Sequence, residues 1–155
     1  MSNPTDERRH WMSVLARASA ADIERRLAAC PKLPDHVRLR GPETGLVMTR
    51  GRAGGGGAPF NLGEITVTRC TVRNPGGQIG HAYITGREAR RAELSASIDA
   101  CLQDSTLHET LHREVIEPLA EAQAAARQET ARRAAATRVQ FFTMATMRTD
   151  DRVRA

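Results

Sequence analysis

The scarcity of bulky apolar side chains is what most restricts this chain. Only 28 of its 155 residues are Leu, Ile, Val or Phe. That is about 18%, below the ~20% at which folding unaided becomes doubtful. The 40% hydrophobic content conceals the shortage, because 24 of those residues are Ala, whose methyl group offers little surface to bury. The length suits one domain, expected here over 1–155 with tails at 1–7 and 148–155. Such a domain folds, but completes its burial against a partner.

Charge is segregated along the chain. Nine Arg and three acids lie between Arg38 and Arg91, while the rest is almost balanced, for a net +5. Of the 23 basic residues only Lys32 is lysine. Guanidinium groups suit bidentate contacts to phosphate or to a partner's carboxylates. Nucleic acid is a poor match: no recognition motif is present, and the basic region offers only Phe60 and Tyr83 for base stacking. No run approaches the ~18 apolar residues of a membrane span, and the polar stretch from Met1 to His10 is no secretory segment. Cys30, Cys70 and Cys101 are widely spaced and odd in number, which points to reduced thiols and a cytoplasmic protein.

Periodicity predicts an α+β fold. Trp11, Val14, Leu15 and Ala18 mark one face of a helix. Ser19 and Asp22 cap a second short helix carrying Ile23 and Leu27, which Pro31 and Pro34 end. An antiparallel sheet of about four strands is expected over residues 37–85. Its strands are Val37–Arg40, Leu46–Arg50 after a turn at Gly41-Pro42, Glu64–Arg73, and Gln78–Thr85. The last two form a hairpin about Asn74-Pro75-Gly76-Gly77. A shift of apolar phase between Val67 and Cys70 suggests a bulge. Helices return after Thr85, with capping boxes at Thr85/Glu88 and Thr106/Glu109 and an apolar face of Leu94, Ile98, Cys101 and Leu102. Pro118 starts or kinks a helix. From Ala120 to Arg138 a long Ala/Arg-rich helix has little to bury, with Glu129 and Arg133 as an i, i+4 pair. Apolar character returns at Val139, Phe141, Phe142 and Met144.

Few motifs carry chemistry. His108-Glu109-Thr110-Leu111-His112 fits H-E-x-x-H, in which two His hold zinc and Glu activates water. Val115 breaks the longer metzincin pattern, and Glu109 also serves as a capping residue beside two solvated His. A stand-alone zinc-dependent hydrolase is therefore the alternative reading, and no metal site is assigned. The Gly51–Gly57 loop, flanked by Arg50 and Arg52, offers successive backbone N–H groups to an anion. It lacks the Lys-Ser/Thr of a P-loop and opens no helix. Arg50, Arg52, Gly54, Gly55, Gly57, Arg69 and Arg87 are the candidate contacts to a triphosphate or a partner, which leaves a basic anion- or nucleotide-binding module as a further alternative. His81 shares a strand face with Tyr83 and reads as structural. No nucleophile–base pair stands out, so no catalytic residue is assigned.

Seven segments, in order, resemble the PhnG family. They are Arg9-His10-Trp11-Met12-Ser13-Val14-Leu15-Ala16; Glu43-Thr44-Gly45-Leu46-Val47; Arg52, Gly54, Gly55 and Gly57; Phe60 with Thr66-x-Thr68-Arg69; Gly86-Arg87; Ala92-Glu93 with Ile98-Asp99-Ala100; and Arg138-Val139-x-Phe141-Phe142-Thr143-Met144. After Met144 the chain departs from the family's usual ending, reading Ala145-Thr146-Met147-Arg148. The resemblance implies a subunit of the carbon–phosphorus lyase core complex, associating with itself, PhnH, PhnI and PhnJ, and with the ATPase-like PhnL. It implies support for attack of a phosphonate on C1′ of the ATP ribose, with release of adenine. No cofactor belongs to this chain; ATP is the complex's substrate, and the iron–sulfur cluster and S-adenosylmethionine belong to PhnJ. His10, Trp11, Phe141, Phe142 and Met144 are the expected subunit-interface residues.

Overall fold

The computed structural model describes residues 4–52 and 57–138. Two helices, α1 (Pro4–Leu15) and α2 (Ala20–Leu27), precede strands β1 (Val37–Gly51), β2 (Phe60–Arg73) and β3 (Ile79–Thr85). Then come α3 (Ala89–Leu102), α4 (Ser105–Leu111), a π-helical turn over His112–Ile116, and α5 (Glu117–Ala136). The fold is α+β, with one antiparallel sheet ordered β1-β2-β3. By packing the chain divides into two compact units, Met1–Gln123 and Ala124–Ala155. The expected tail at 1–7 is helical from Pro4 onward.

The sheet has three strands where four were expected, because Gly41-Pro42 does not turn the chain back. Gly41 takes a φ of 63°, the following peptide is cis, and the chain continues along β2 through register shifts between Arg38 and Glu43. The bulge anticipated in β2 between Val67 and Cys70 does not form: β2 pairs with β3 without a break from Val67 to Arg73, and the irregularity opposite Cys70 lies on β1 instead. Asn74 closes the predicted β2–β3 hairpin, its side chain accepting from Gln78 N–H at 3.0 Å and its own N–H donating to Gln78 O at 3.1 Å.

α3 is the centre of the first unit and is buried on two sides. Ala92, Ala96 and Ala100, spaced one turn apart, meet the buried face of the sheet at Cys70, Val72, Ala82 and Ile84. Small residues on both surfaces let the backbones approach closely. At the nearest point a Cβ on Gly80 would lie 1.9 Å from Ala96 O and 2.5 Å from Ala100 N, so only glycine fits. The other side of α3 presents Ile98, Cys101 and Leu102 to a helical cluster that includes Trp11, Leu15, Ile23, Leu111 and Ile116. Each such side chain contributes about 1.5–3 kcal/mol through burial. Burial also pushes the Cys101 thiol up to about 11.

Caps confirm one sequence expectation and correct two. Ser19 caps α2, accepting from Asp22 N–H at 3.1 Å and donating to the Asp22 carboxylate at 2.7 Å. The Thr85/Glu88 box does not form: Glu88 is the N-cap residue itself, and its N–H donates instead to the buried Thr68 hydroxyl of β2, which donates in turn to Gly86 O. Nor does Thr106 cap α4. Asp104 does, accepting from both the N–H and the hydroxyl of Thr106. Glu109 therefore has no capping role. Before Pro118 the helix widens into the π turn, with Glu117 N–H reaching back to His112 O. A proline leaves the i−4 carbonyl without its donor, and a widened turn accommodates that loss. Along α5, Glu129 pairs with Arg133 at 2.9 Å as expected, and also with Arg132.

Candidate functional site

The tightest polar cluster centres on Asp99, wholly buried in α3. Arg8 of α1 grips it with a two-pronged fork, at 3.1 Å to Oδ1 and 2.8 Å to Oδ2. Trp11 Nε1–H donates to Oδ1 at 2.8 Å, and the His81 backbone N–H of β3 donates to Oδ2 at 2.8 Å. Four donors thus satisfy one carboxylate, the condition under which a charge is tolerated inside. The cluster ties α1, β3 and α3 together and leaves no open coordination for a substrate. Sequence reading assigned Asp99 no role. The available signal was a lone acid within the otherwise apolar and small run from Leu94 to Leu102.

A second tie lies at the start of β1. Arg38 donates from Nε and Nη2 to Glu93 at 2.6 and 2.9 Å, and His36 Nε2 lies 3.0 Å from the same carboxylate. The Arg38 hydrogen bond holds Glu93 below the ordinary carboxylate range; partial burial opposes this and His36 reinforces it. A carboxylate kept ionised in this way is an anchor for β1, not a proton donor near neutrality. An open cleft of about 460 Å³ lies alongside, lined by Leu33, Pro34, His36, Arg38, Arg90 and Ser97 among others.

The arginines picked out from sequence do not form one patch. Arg50 and Arg52 lie exposed at the far end of the β1–β2 hairpin, where Gly51 faces Phe60. Arg69 faces Glu43 and is ion-paired with it; Glu43 also pairs with Arg40 at 2.6 Å. Eight residues of β2 separate Arg69 from Asn61, the partner of Arg50, about 26 Å at ~3.3 Å per residue. Arg87 is exposed in the turn after β3. Gly57 is exposed, whereas Gly54 and Gly55 lie outside the described residues.

Trp11, expected at an interface, is only 4% exposed and packs into the chain's own helical core. His10 beside it is exposed. Phe141, Phe142 and Met144 lie outside the described residues. The two His of H-E-x-x-H are half-buried, not solvated as expected. Their rings stack with centroids 5.8 Å apart, and Trp11 meets His108 edge-on. His108 Nδ1 lies 2.7 Å from Leu102 O and its Nε2 3.3 Å from Glu7, while His112 Nδ1 lies 3.3 Å from Glu117. Among the described residues no group of three or more His, Cys, Asp or Glu is placed to hold a metal ion. No described helix is long and apolar enough to cross a membrane.

The described residues leave several large apolar side chains uncovered. All nine exposed large hydrophobics lie on strands: Val37, Leu39, Leu46, Met48, Phe60, Leu62, Ile65, Ile79 and Tyr83. A small α+β domain that leaves this many large apolar side chains bare on its sheet is of the assembling class. More specifically, the chain belongs to the PhnG family of phosphonate metabolism proteins, whose pattern it matches over residues 6–147. It is similar to the alpha-D-ribose 1-methylphosphonate 5-triphosphate synthase subunit PhnG of Rhizobium meliloti (strain 1021), with 46% identity over 143 residues, covering 89% of this chain and 88% of that protein.

Proposed function

We propose that this chain is an accessory, non-catalytic subunit of a cytoplasmic carbon–phosphorus lyase core complex. In that complex PhnI, PhnH and PhnJ are its partners, with a PhnL-type ATPase acting alongside. The reaction it supports joins a phosphonate, such as methylphosphonate, to C1′ of the ATP ribose. The glycosidic bond to adenine breaks, and a ribose 1-phosphonate 5-triphosphate is left. Family membership and the function named for the 46% identical relative support the pathway. The observation that carries the subunit role is the bare sheet: a chain with so few large apolar residues leaves nine of them exposed, all on strands. A lone protein gains nothing from that arrangement, whereas an interface does.

Co-expression with PhnH, PhnI and PhnJ tests this. The expected result is stoichiometric co-purification, with adenine release from ATP and methylphosphonate lost when this subunit is omitted. A compact chain that ignores all three partners, or a complex equally active without it, would sink the reading.

A further inference from the structure

The sheet is three strands wide at one end and two at the other. β3 pairs with β2 only from Arg73 to Val67, whereas β1 follows β2 out to Phe60. Beyond Val67, β1 and β2 form a two-stranded ribbon carrying Leu46, Met48, Phe60, Leu62 and Ile65, each 39–61% exposed. A ribbon of two strands is marginal on its own.

Its backbone has a directed vacancy. Residues two apart in an antiparallel strand send their amide and carbonyl to the same side. Thr66 sends its carbonyl towards β3's line, where Gly86 N–H bonds it at 2.9 Å. Glu64 therefore sends both its N–H and its C=O the same way, and no described strand lies there. A surface that covered the ribbon's side chains without bonding this amide would strand it away from water. Only an extended segment supplies both. The outer edge of β1 is a weaker template, since Pro42 and two register shifts interrupt it, whereas β2 carries one extra residue, Leu62, near the outer end of its open edge.

Charge specifies the visitor. Arg87 sits at the inner end of the vacancy, and Arg50 and Arg52 lie level with its outer end, one strand over at the end of β1, within reach of a long side chain across β2. None of the three has an ion-pair partner among the described residues, unlike Arg38, Arg40, Arg69, Arg90 and Arg91. We propose that the open edge of β2 from Phe60 to Thr66 receives an extended strand of another subunit. That strand has about six residues, an apolar centre beside Ile65 and acidic residues at its ends. It spans roughly 20 Å at ~3.3 Å per residue. The identity of the donor as a subunit of the phosphonate complex rests on the function proposed above; the vacancy itself does not.

Residue-resolved hydrogen exchange on the assembled complex tests the idea. Ile65 is the internal control, since its amide faces β1. The Glu64 amide is expected to exchange roughly tenfold or more slowly than an unstructured amide. A second arm uses Glu64→Pro, which removes the outward N–H and leaves the β1 ladder its donors, together with the triple charge reversal R50E/R52E/R87E. Both should weaken co-purification at least about tenfold while the helical circular dichroism is unchanged. A complex that assembles with Ile65 protected and Glu64 exchanging freely overturns the inference and leaves the subunit function standing. Failure to capture any partner overturns both. Glu64 protection that appears in the chain alone and rises with its concentration assigns the edge to a second copy. Weakened ATP binding in an intact R50E/R52E/R87E complex assigns the arginines to nucleotide. Either outcome rejects a partner strand.

Discussion

The helix-packed end of the first unit and the β1–β2 ribbon are built from similar residues and put them to opposite use. Around α3, Ile98, Leu102, Leu111 and Ile116 are at most 2% exposed, and the one charge among them is met by four donors. On the ribbon Leu46 and Leu62 are each 61% exposed. The register puts Leu46 and Met48 on the same sheet face as Thr68, which α3 covers farther along, so these positions lack a cover and not a direction. The chain spends a small stock of bulky side chains on two separate tasks: one half secures the fold, and the other waits for a neighbour.

The sharpest way to break that division is at Asp99. Asp99→Ala strands Trp11 Nε1–H and the His81 N–H and frees Arg8, and should cost about 3–5 kcal/mol in denaturant unfolding. An effect under ~1 kcal/mol would mean that the helical end is not the part that secures the fold. Gly80→Ala comes next: its Cβ would meet α3 backbone, so about 1–3 kcal/mol should be lost as β3 lifts from α3. A native-like thermal midpoint would show that the sheet slides freely. Smaller again is the Arg38–Glu93 tie. Glu93 titrates lower in the folded chain than in the unfolded one, so its stabilisation is complete above the ordinary Glu range near ~4.3. It is lost as pH falls through the lower, folded value. Glu93→Gln should remove up to ~1 kcal/mol near neutrality and flatten the acid limb of the stability–pH curve; an unchanged limb would assign acid sensitivity elsewhere. Leu46→Asp on the ribbon should shift unfolding by less than ~0.5 kcal/mol and still abolish co-purification with the other subunits. A large loss of stability there would erase the distinction between the two ends.

The sequence disclosed those features that rest on one segment at a time. Trp11, Val14 and Leu15 mark the face of α1 that is buried, Ser19 caps α2, and Asn74 to Gly77 turn β2 into β3. Features that need two segments stayed hidden. Gly41-Pro42 looks like a turn by itself, and only pairing with β2 makes it a bulge in one long strand. Thr85 and Glu88 have the spacing of a capping box, yet Thr68 from a neighbouring strand takes the Glu88 amide first. The sheet-facing side of α3 is Ala and Ser, which a search for large apolar residues passes over. The candidate arginines were legible as residues but not as a site, since sequence distance does not show that Arg69 already has Glu43 while Arg87 has no acid partner among the described residues. Family resemblance supplied the pathway, which no spacing of residues contained.

Asp99 also bears on how the molecule reaches its native state. Its hydrogen-bond donors are drawn from segments about ninety and about twenty positions away along the polymer. A partly collapsed chain with α1 or β3 misplaced would leave an unmatched negative charge in oil-like surroundings, so half-built arrangements are disfavoured relative to both the open and the finished forms. The carboxylate thus works as a checkpoint, making the helical end assemble all at once or not at all.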